Sequence, residues 1–130
     1  MNYFMWGASA LMGLTTGVHL FLGTGEIMTP ILSSETLHPV VQSTTLVVWH
    51  MVTLVLAVST VAMAYLAKQP NKALALFIMT LHFGFAAIFL YVTLTMFGAL
   101  FTLPQWSAFL LAGLLMLASV ILPKKKAQVP

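Results

Sequence analysis

Four uninterrupted apolar runs constrain this chain more than any other feature. They cover roughly residues 3 to 23, 43 to 67, 72 to 101 and 105 to 122. An α-helix needs about twenty mostly apolar residues to cross a bilayer, and each run is near that length. A helix also pairs its own backbone polar groups within the hydrocarbon, whereas a β-barrel needs short alternating strands. The runs predict an all-α integral membrane four-helix bundle, with residues 1 to 130 forming a single domain.

The scarcity of charge supports this class and excludes several chemistries. Of the 130 residues, 61% are hydrophobic and 5% are charged, whereas a soluble domain carries charge at about a quarter of its positions. Cys is absent, so disulfides and Cys-ligated zinc are excluded. Asp is absent too, and the chain has neither a Ser-His-Asp set nor a glycine-rich phosphate loop. Hydrolase and nucleotide-binding activities are therefore not expected.

The positive charges indicate how the helices are oriented. All five are lysines, placed beside apolar runs at Lys68, Lys72 and the run 124 to 126. Lysines hold the cytoplasmic ends of spanning helices, so membrane topology explains them without a nucleic-acid partner. With both clusters in the cytoplasm, both termini lie there, and the long loop 24 to 42 and the turn 102 to 106 lie outside. We expect the inner membrane of a bacterium, with the lipid bilayer as the surroundings.

Two local patterns predict how the helices meet. The compact polar turn at residues 68 to 72 contains Pro70, which cannot continue the preceding helix, so the second and third helices should form an antiparallel hairpin. Gly13 and Gly17 form a small-xxx-small pattern, which permits close approach of another helix. That helix belongs either to the same chain or to a second copy, so a homo-oligomer through these glycines is one of two equal interpretations.

The candidate functional residues are histidines within the spans, at His19, His50 and His82. Ionisable residues inside a membrane are costly and usually face an interior or a cavity. His82 lies about 15 Å along its helix from Lys72, near the midplane, and the other two lie about one and two turns below the outer ends of their helices. Helical spacing groups each histidine with small or polar residues, so we expect all three to point into the bundle.

Three inward histidines with a nearby carboxylate match the first ligand shell of a transition metal such as Zn, Fe or Cu. Glu26 falls on the His19 face if the first helix continues, and it is the expected fourth ligand. His38 and Glu35, in the outer loop, are secondary candidates. Iron with an open position could activate oxygen, but no residue indicates a substrate, so the sequence does not decide whether the protein is an enzyme.

A b-type haem is the second cofactor that the histidines can hold. Paired histidines across a helical bundle are a usual way to ligate haem, and His50 with His82 is the pair to consider. The chain contains no Arg to bind the propionates. The simple metal ion is therefore preferred over haem.

Two functions of other classes remain open. In the first, the histidines relay protons in a small proton-coupled transporter or channel. Threonine hydroxyls would then line the polar path, at Thr15, Thr16, Thr53, Thr60 and Thr93. In the second, the protein is an accessory or structural subunit of a larger membrane complex, and its histidines only form hydrogen bonds between helices.

Overall fold

The computed structural model describes residues 2 to 122, and all regular structure in that range is helical. The four helices are α1 (Tyr3–Leu32), α2 (Pro39–Lys68), α3 (Lys72–Phe97) and α4 (Gln105–Ile121). The all-α four-helix prediction is confirmed. Three helices are long and apolar enough to cross a membrane, as expected for an integral membrane protein. The fourth, α4, is apolar but has only 17 residues, or about 26 Å of helix.

The first helix is longer than predicted and changes its geometry along its length. It is α-helical over Tyr3–Gly17, becomes a π-helix over Val18–Met28 and ends in a short α-turn at Thr29–Leu32. The predicted outer loop 24 to 42 is therefore wrong in its bounds, and the connection covers only residues 33 to 38. The apolar run ends near residue 23, but the helix continues through the polar residues that follow it.

Side chains cap both ends of the short outer connection. His38 lies just before α2, and its Nδ1 accepts the backbone N–H of Val40. The side-chain amide of Gln42 donates to the carbonyls of Ile31, Leu32 and Ser34, at 3.1, 3.3 and 2.7 Å. These bonds pair carbonyls that the end of a helix leaves without partners. The start of α2 is thereby tied to the end of α1.

The third helix ends earlier than its apolar run. Gly98 follows Phe97 with φ of +65°, a left-handed conformation that glycine adopts without a Cβ penalty. Beyond it, the N–H of Leu103 donates to Thr93 Oγ1, which pins the turn against α3. The predicted helix 72 to 101 is therefore four residues too long, because hydropathy does not register a backbone reversal made by apolar residues.

The packing order differs from the order along the chain. α1 packs against both α2 and α4, and α3 packs against α4. α2 and α3, although joined by the polar turn, make few contacts with each other. The two helices follow each other in sequence, but they do not pack closely as the antiparallel hairpin that the short turn predicted.

A close contact between α3 and α4 explains this preference. Gly113 of α4 lies so near the ring of Phe83 that an added Cβ would come within 2.7 Å of it. Phe109, on the same face of α4, packs against the rings of Phe85 and Phe89, with centroids 5.2 and 5.7 Å apart. Aromatic pairs at these distances stabilise an interface beyond the area they bury. α3 therefore packs on α4, and one seam of the bundle stays open.

Candidate functional site

His19 lies in the π-helix and is bound to one residue of α2. Its ring stacks on the indole of Trp49, with centroids 3.9 Å apart and planes 20° apart. Its Nε2 lies 3.2 Å from the carbonyl oxygen of Trp49. Because a carbonyl only accepts, Nε2 is the protonated nitrogen and donates this bond. His19 thus joins α1 to α2, and one ring nitrogen and one ring face are already in use.

Two further residues of the π-helix hold the same indole. Trp49 Nε1 donates to Thr24 Oγ1 at 3.1 Å, and an added Cβ at Gly23 would lie 3.0 Å from the Trp49 ring. We call His19, Gly23, Thr24 and Trp49 the Trp49 clasp. Its π-helical members are four and five residues apart, the spacing that shares a face when hydrogen bonds run from i to i+5. Sequence reasoning based on α-helical spacing missed this set, although the Gly23-Thr24-Gly25 run marked the place.

The π-helix also separates His19 from Glu26. Residues seven apart share a face in an α-helix, but wider π-turns shift that register, so the two side chains do not align. The Glu26 side chain is exposed and His19 is half-buried. The expectation that Glu26 shares the His19 face is therefore wrong, because it assumed α-helical geometry through a segment that is not α-helical.

His50 is exposed on the outside of the bundle. The inward face of α2 is formed instead by Leu56, Ser59 and Met63, all buried. His50 makes no hydrogen bond to any part of the chain that the structure describes. The expectation that it points into the bundle is wrong for a single chain, because Trp49 next to it takes the position that faces α1.

His82 has the opposite environment and is fully buried, as its helical face predicted. Its Nδ1 lies 2.8 Å from the carbonyl oxygen of Ile78, and because a carbonyl only accepts, Nδ1 donates this bond. Within residues 2 to 122, Nε2 has no hydrogen-bond partner. The nearest rings are those of Phe85 and Phe109, with centroids 6.4 and 5.9 Å away. The surroundings are apolar and tightly packed.

The three intramembrane histidines therefore lie in three separate environments. Over the described range, no group of three or more His, Asp and Glu side chains is arranged to hold a metal ion. The secondary candidates His38 and Glu35 are both exposed in the outer connection. The haem pair also differs in environment, because His50 is exposed and His82 is enclosed by aromatic rings. A metal or haem site remains a prediction, and one chain does not gather its ligands.

The threonines of the expected polar path mostly bond to their own helices. Four of them donate to the carbonyl four residues earlier: Thr15, Thr16, Thr53 and Thr60. Thr93 is fully buried and accepts the N–H of Leu103. Such bonds are common for hydroxyls in spanning helices and pair the donor locally. A proton path along these residues likewise remains a prediction.

The glycine pair of α1 is only partly used within the chain. An added Cβ at Gly13 would meet the methyl group of Thr60 at 3.4 Å, so this glycine packs against α2. Gly17 has no heavy atom within 4 Å of the corresponding position. Contact within the chain accounts for Gly13. Only Gly17 is left as a candidate contact with a second copy of the chain.

Comparison with known proteins adds no homologue to these observations. No protein-family model matches the chain, and no curated protein or solved structure matches it.

Proposed function

We propose that this protein is an accessory subunit of a complex in the inner membrane of a bacterium, and that it binds its partner through α2. The observation that carries this proposal is the exposed imidazole of His50. It lies about 16 Å along α2 from Pro39, well inside the length of a spanning helix. A polar ring facing hydrocarbon is costly unless another group pairs with it.

The residues around His50 form a surface suited to another helix. Val47, Met51 and Leu54 lie on the same side of α2, and each is 59 to 63% exposed. Their spacing of three, four and seven residues makes one continuous stripe. We call these three residues with His50 the His50 face. A partner helix with a hydrogen-bonding side chain opposite the imidazole would pair it, and such pairs between spanning helices contribute about 0.6 kcal/mol on average.

The other two histidines support this assignment by contrast. His19 is held in the Trp49 clasp, and His82 is enclosed by its own bundle. In both, at least one ring nitrogen is already bonded within the chain, whereas His50 is exposed and makes no bond to the described part of the chain. Of the three functions expected from the sequence, assembly is the one that needs only the accessible histidine.

Crosslinking in native membranes tests the proposal. Because the chain contains no Cys, a single Leu54→Cys substitution introduces its only thiol, next to His50. We expect a maleimide–diazirine crosslinker, which reacts with the thiol at one end and with any neighbouring side chain at the other, to capture one discrete partner. A further His50→Leu substitution should reduce the capture about threefold, the ratio that corresponds to about 0.6 kcal/mol. Phe77→Cys on α3 is the control, because Phe77 is 71% exposed but lies away from this face. Equal capture from both positions, or capture that does not depend on His50, would refute assembly through this face.

The exposed imidazole also makes a metal bridge the second candidate. Two chains that meet at the His50 face would bring two imidazoles together, and imidazole is the commonest metal ligand in proteins. Elemental analysis of the crosslinked species distinguishes the candidates. If the crosslinked protein contains metal, and the His50→Leu variant loses both the metal and the crosslink, the metal bridge is favoured. If the crosslinked protein contains no metal, helix pairing alone is favoured.

A further inference from the structure

The open seam between α2 and α3 contains an apolar groove. The groove has a volume of about 500 Å³ and is lined by Ala57, Val58, Val61, Ala62, Tyr65 and Leu74. From Ala57 to Tyr65 it extends about 12 Å along α2. All of its length lies on the lysine side of the His50 face. An apolar trough of this kind in a spanning region accommodates a hydrocarbon chain.

A second cavity adjoins the groove where all four helices meet, at the end that carries Lys68 and Lys72. Its volume is about 340 Å³, and its lining includes the polar side chains of Asn2, Asn71, Lys72 and Ser119. Both cavities have walls on α2 and α3, with Leu66 and Ala75 in the polar one and Tyr65 and Leu74 in the apolar one. A cavity with polar lining therefore lies near an apolar groove at the same end of α2 and α3.

The charge of this end is positive. Lys72 lines the polar cavity at the start of α3, and Lys68 is the last residue of α2, with Nζ 5.7 Å from the centroid of the Trp6 ring. The chain has only two acidic residues, Glu26 and Glu35. Glu26 lies in the second half of α1 and Glu35 in the connection that follows it, at the opposite end of the bundle. Neither of these two glutamates lies near the lysines. Basic pockets between spanning helices at this depth suit anionic lipid headgroups.

We propose that this seam binds an anionic phospholipid, with its phosphate at Lys72 and Asn71 and one acyl chain in the groove lined by Ala57 and Val61. A phospholipid carries a negative headgroup directly beside an apolar chain, which is the order of the two cavities. A soluble anion would leave the groove unoccupied, and an apolar ligand would leave Lys72 without a counter-charge. The site lies nearer the lysines than the His50 face but on the same side of α2, so it is tested on the purified chain without the proposed partner.

Native mass spectrometry of the purified chain in mixed micelles tests the site. The micelles contain equal amounts of phosphatidylglycerol and phosphatidylcholine with identical acyl chains. We expect the anionic lipid to be retained at least fivefold over the zwitterionic one, and inorganic phosphate not to displace it. Equal retention of the two lipids, or displacement by phosphate alone, would overturn the proposal.

Three variants locate the binding. Lys72→Gln should abolish the preference for the anionic lipid, and Val61→Phe, which fills the groove, should lower retention of both lipids. The comparison variant replaces Lys124, Lys125 and Lys126 by Gln, which removes more charge without changing any described residue that lines the two cavities, and it should keep the preference. Loss of the preference in the comparison variant but not in Lys72→Gln would assign the effect to general attraction and refute the site. Lys72 is exposed, so Lys72→Gln should melt with the parent protein.

Discussion

The Nε2 of His82 is buried and has no hydrogen-bond partner in the described part of the chain. A buried donor or acceptor without a partner costs free energy, because folding removes it from water or headgroups and returns no hydrogen bond. The ring is held by one bond to its own helix and by contacts with Phe85 and Phe109. His82 therefore contributes to the stability of the bundle mainly by filling space.

Replacing His82 by Leu should accordingly be tolerated. The substitution removes both the unpartnered nitrogen and the bond to Ile78, and an apolar side chain of similar size can fill the space. We expect the free energy of unfolding to change by less than about 1 kcal/mol, measured by thermal denaturation in detergent. His82→Ala serves as the comparison, because it leaves a cavity and should cost about 2 kcal/mol or more. A Leu variant as unstable as the Ala variant would show that the imidazole makes an essential polar contact.

At the scale of elements, the π-helical segment of α1 decides which side chains meet α2. π-Helices are rare in proteins overall, but those that occur are often found at functional sites. This one spans eleven residues. It brings His19, Gly23 and Thr24 to one indole. It also turns Glu26 toward the outside, where the side chain is exposed. The same segment therefore builds the Trp49 clasp and separates the two residues expected to share a metal.

A pair of glycine substitutions tests the clasp. In Gly23→Ala the new Cβ would come within 3.0 Å of the Trp49 ring, and this overpacking should outweigh the gain in helix propensity. We expect a loss of about 1 kcal/mol in the free energy of unfolding, together with a change in tryptophan fluorescence. Gly25→Ala, where nothing lies within 4 Å, should be neutral or stabilise by about 0.5 kcal/mol. A stabilised Gly23→Ala variant would contradict the close approach of Trp49.

At the scale of the whole molecule, the bundle keeps its three intramembrane histidines apart. One is held between α1 and α2, one is exposed on α2, and one is buried against α4. Ligands of one metal ion act as a unit, because a site that lacks one ligand has already lost most of its affinity. Independent contacts in separate environments instead contribute additively.

Replacing His19, His50 and His82 by Ala, singly and in pairs, therefore distinguishes a shared site from separate contacts. We expect the losses in thermal stability of the purified single chain to add within about 0.5 kcal/mol in every pair. His38→Ala is the comparison variant; it removes the cap of α2, should cost about 1 kcal/mol, and should add to each of the other losses. Strong non-additivity accompanied by loss of bound metal would show that the histidines share an ion, contrary to the separation in this fold.

The sequence by itself determined the class of this protein and the number of its helices. Apolar runs of about twenty residues require helices because the bilayer leaves no other partner for the backbone. The inward face of α3, including His82, also followed from helical spacing, because that helix is regular around it. These results depend only on local geometry and on the solvent.

Tertiary structure decided the composition of the candidate site. Hydropathy cannot reveal that α1 changes to π-geometry after Gly17, and that change replaced the expected pairing of His19 with Glu26 by the contact with Trp49. Nor can it reveal that Gly113 draws α3 onto α4 and away from α2. The packing of α3 on α4 leaves the groove near Lys72 open. Which faces meet depends on side-chain shapes across helices far apart in the sequence, because apolar helices in lipid associate by close packing and have little hydrophobic drive to do so.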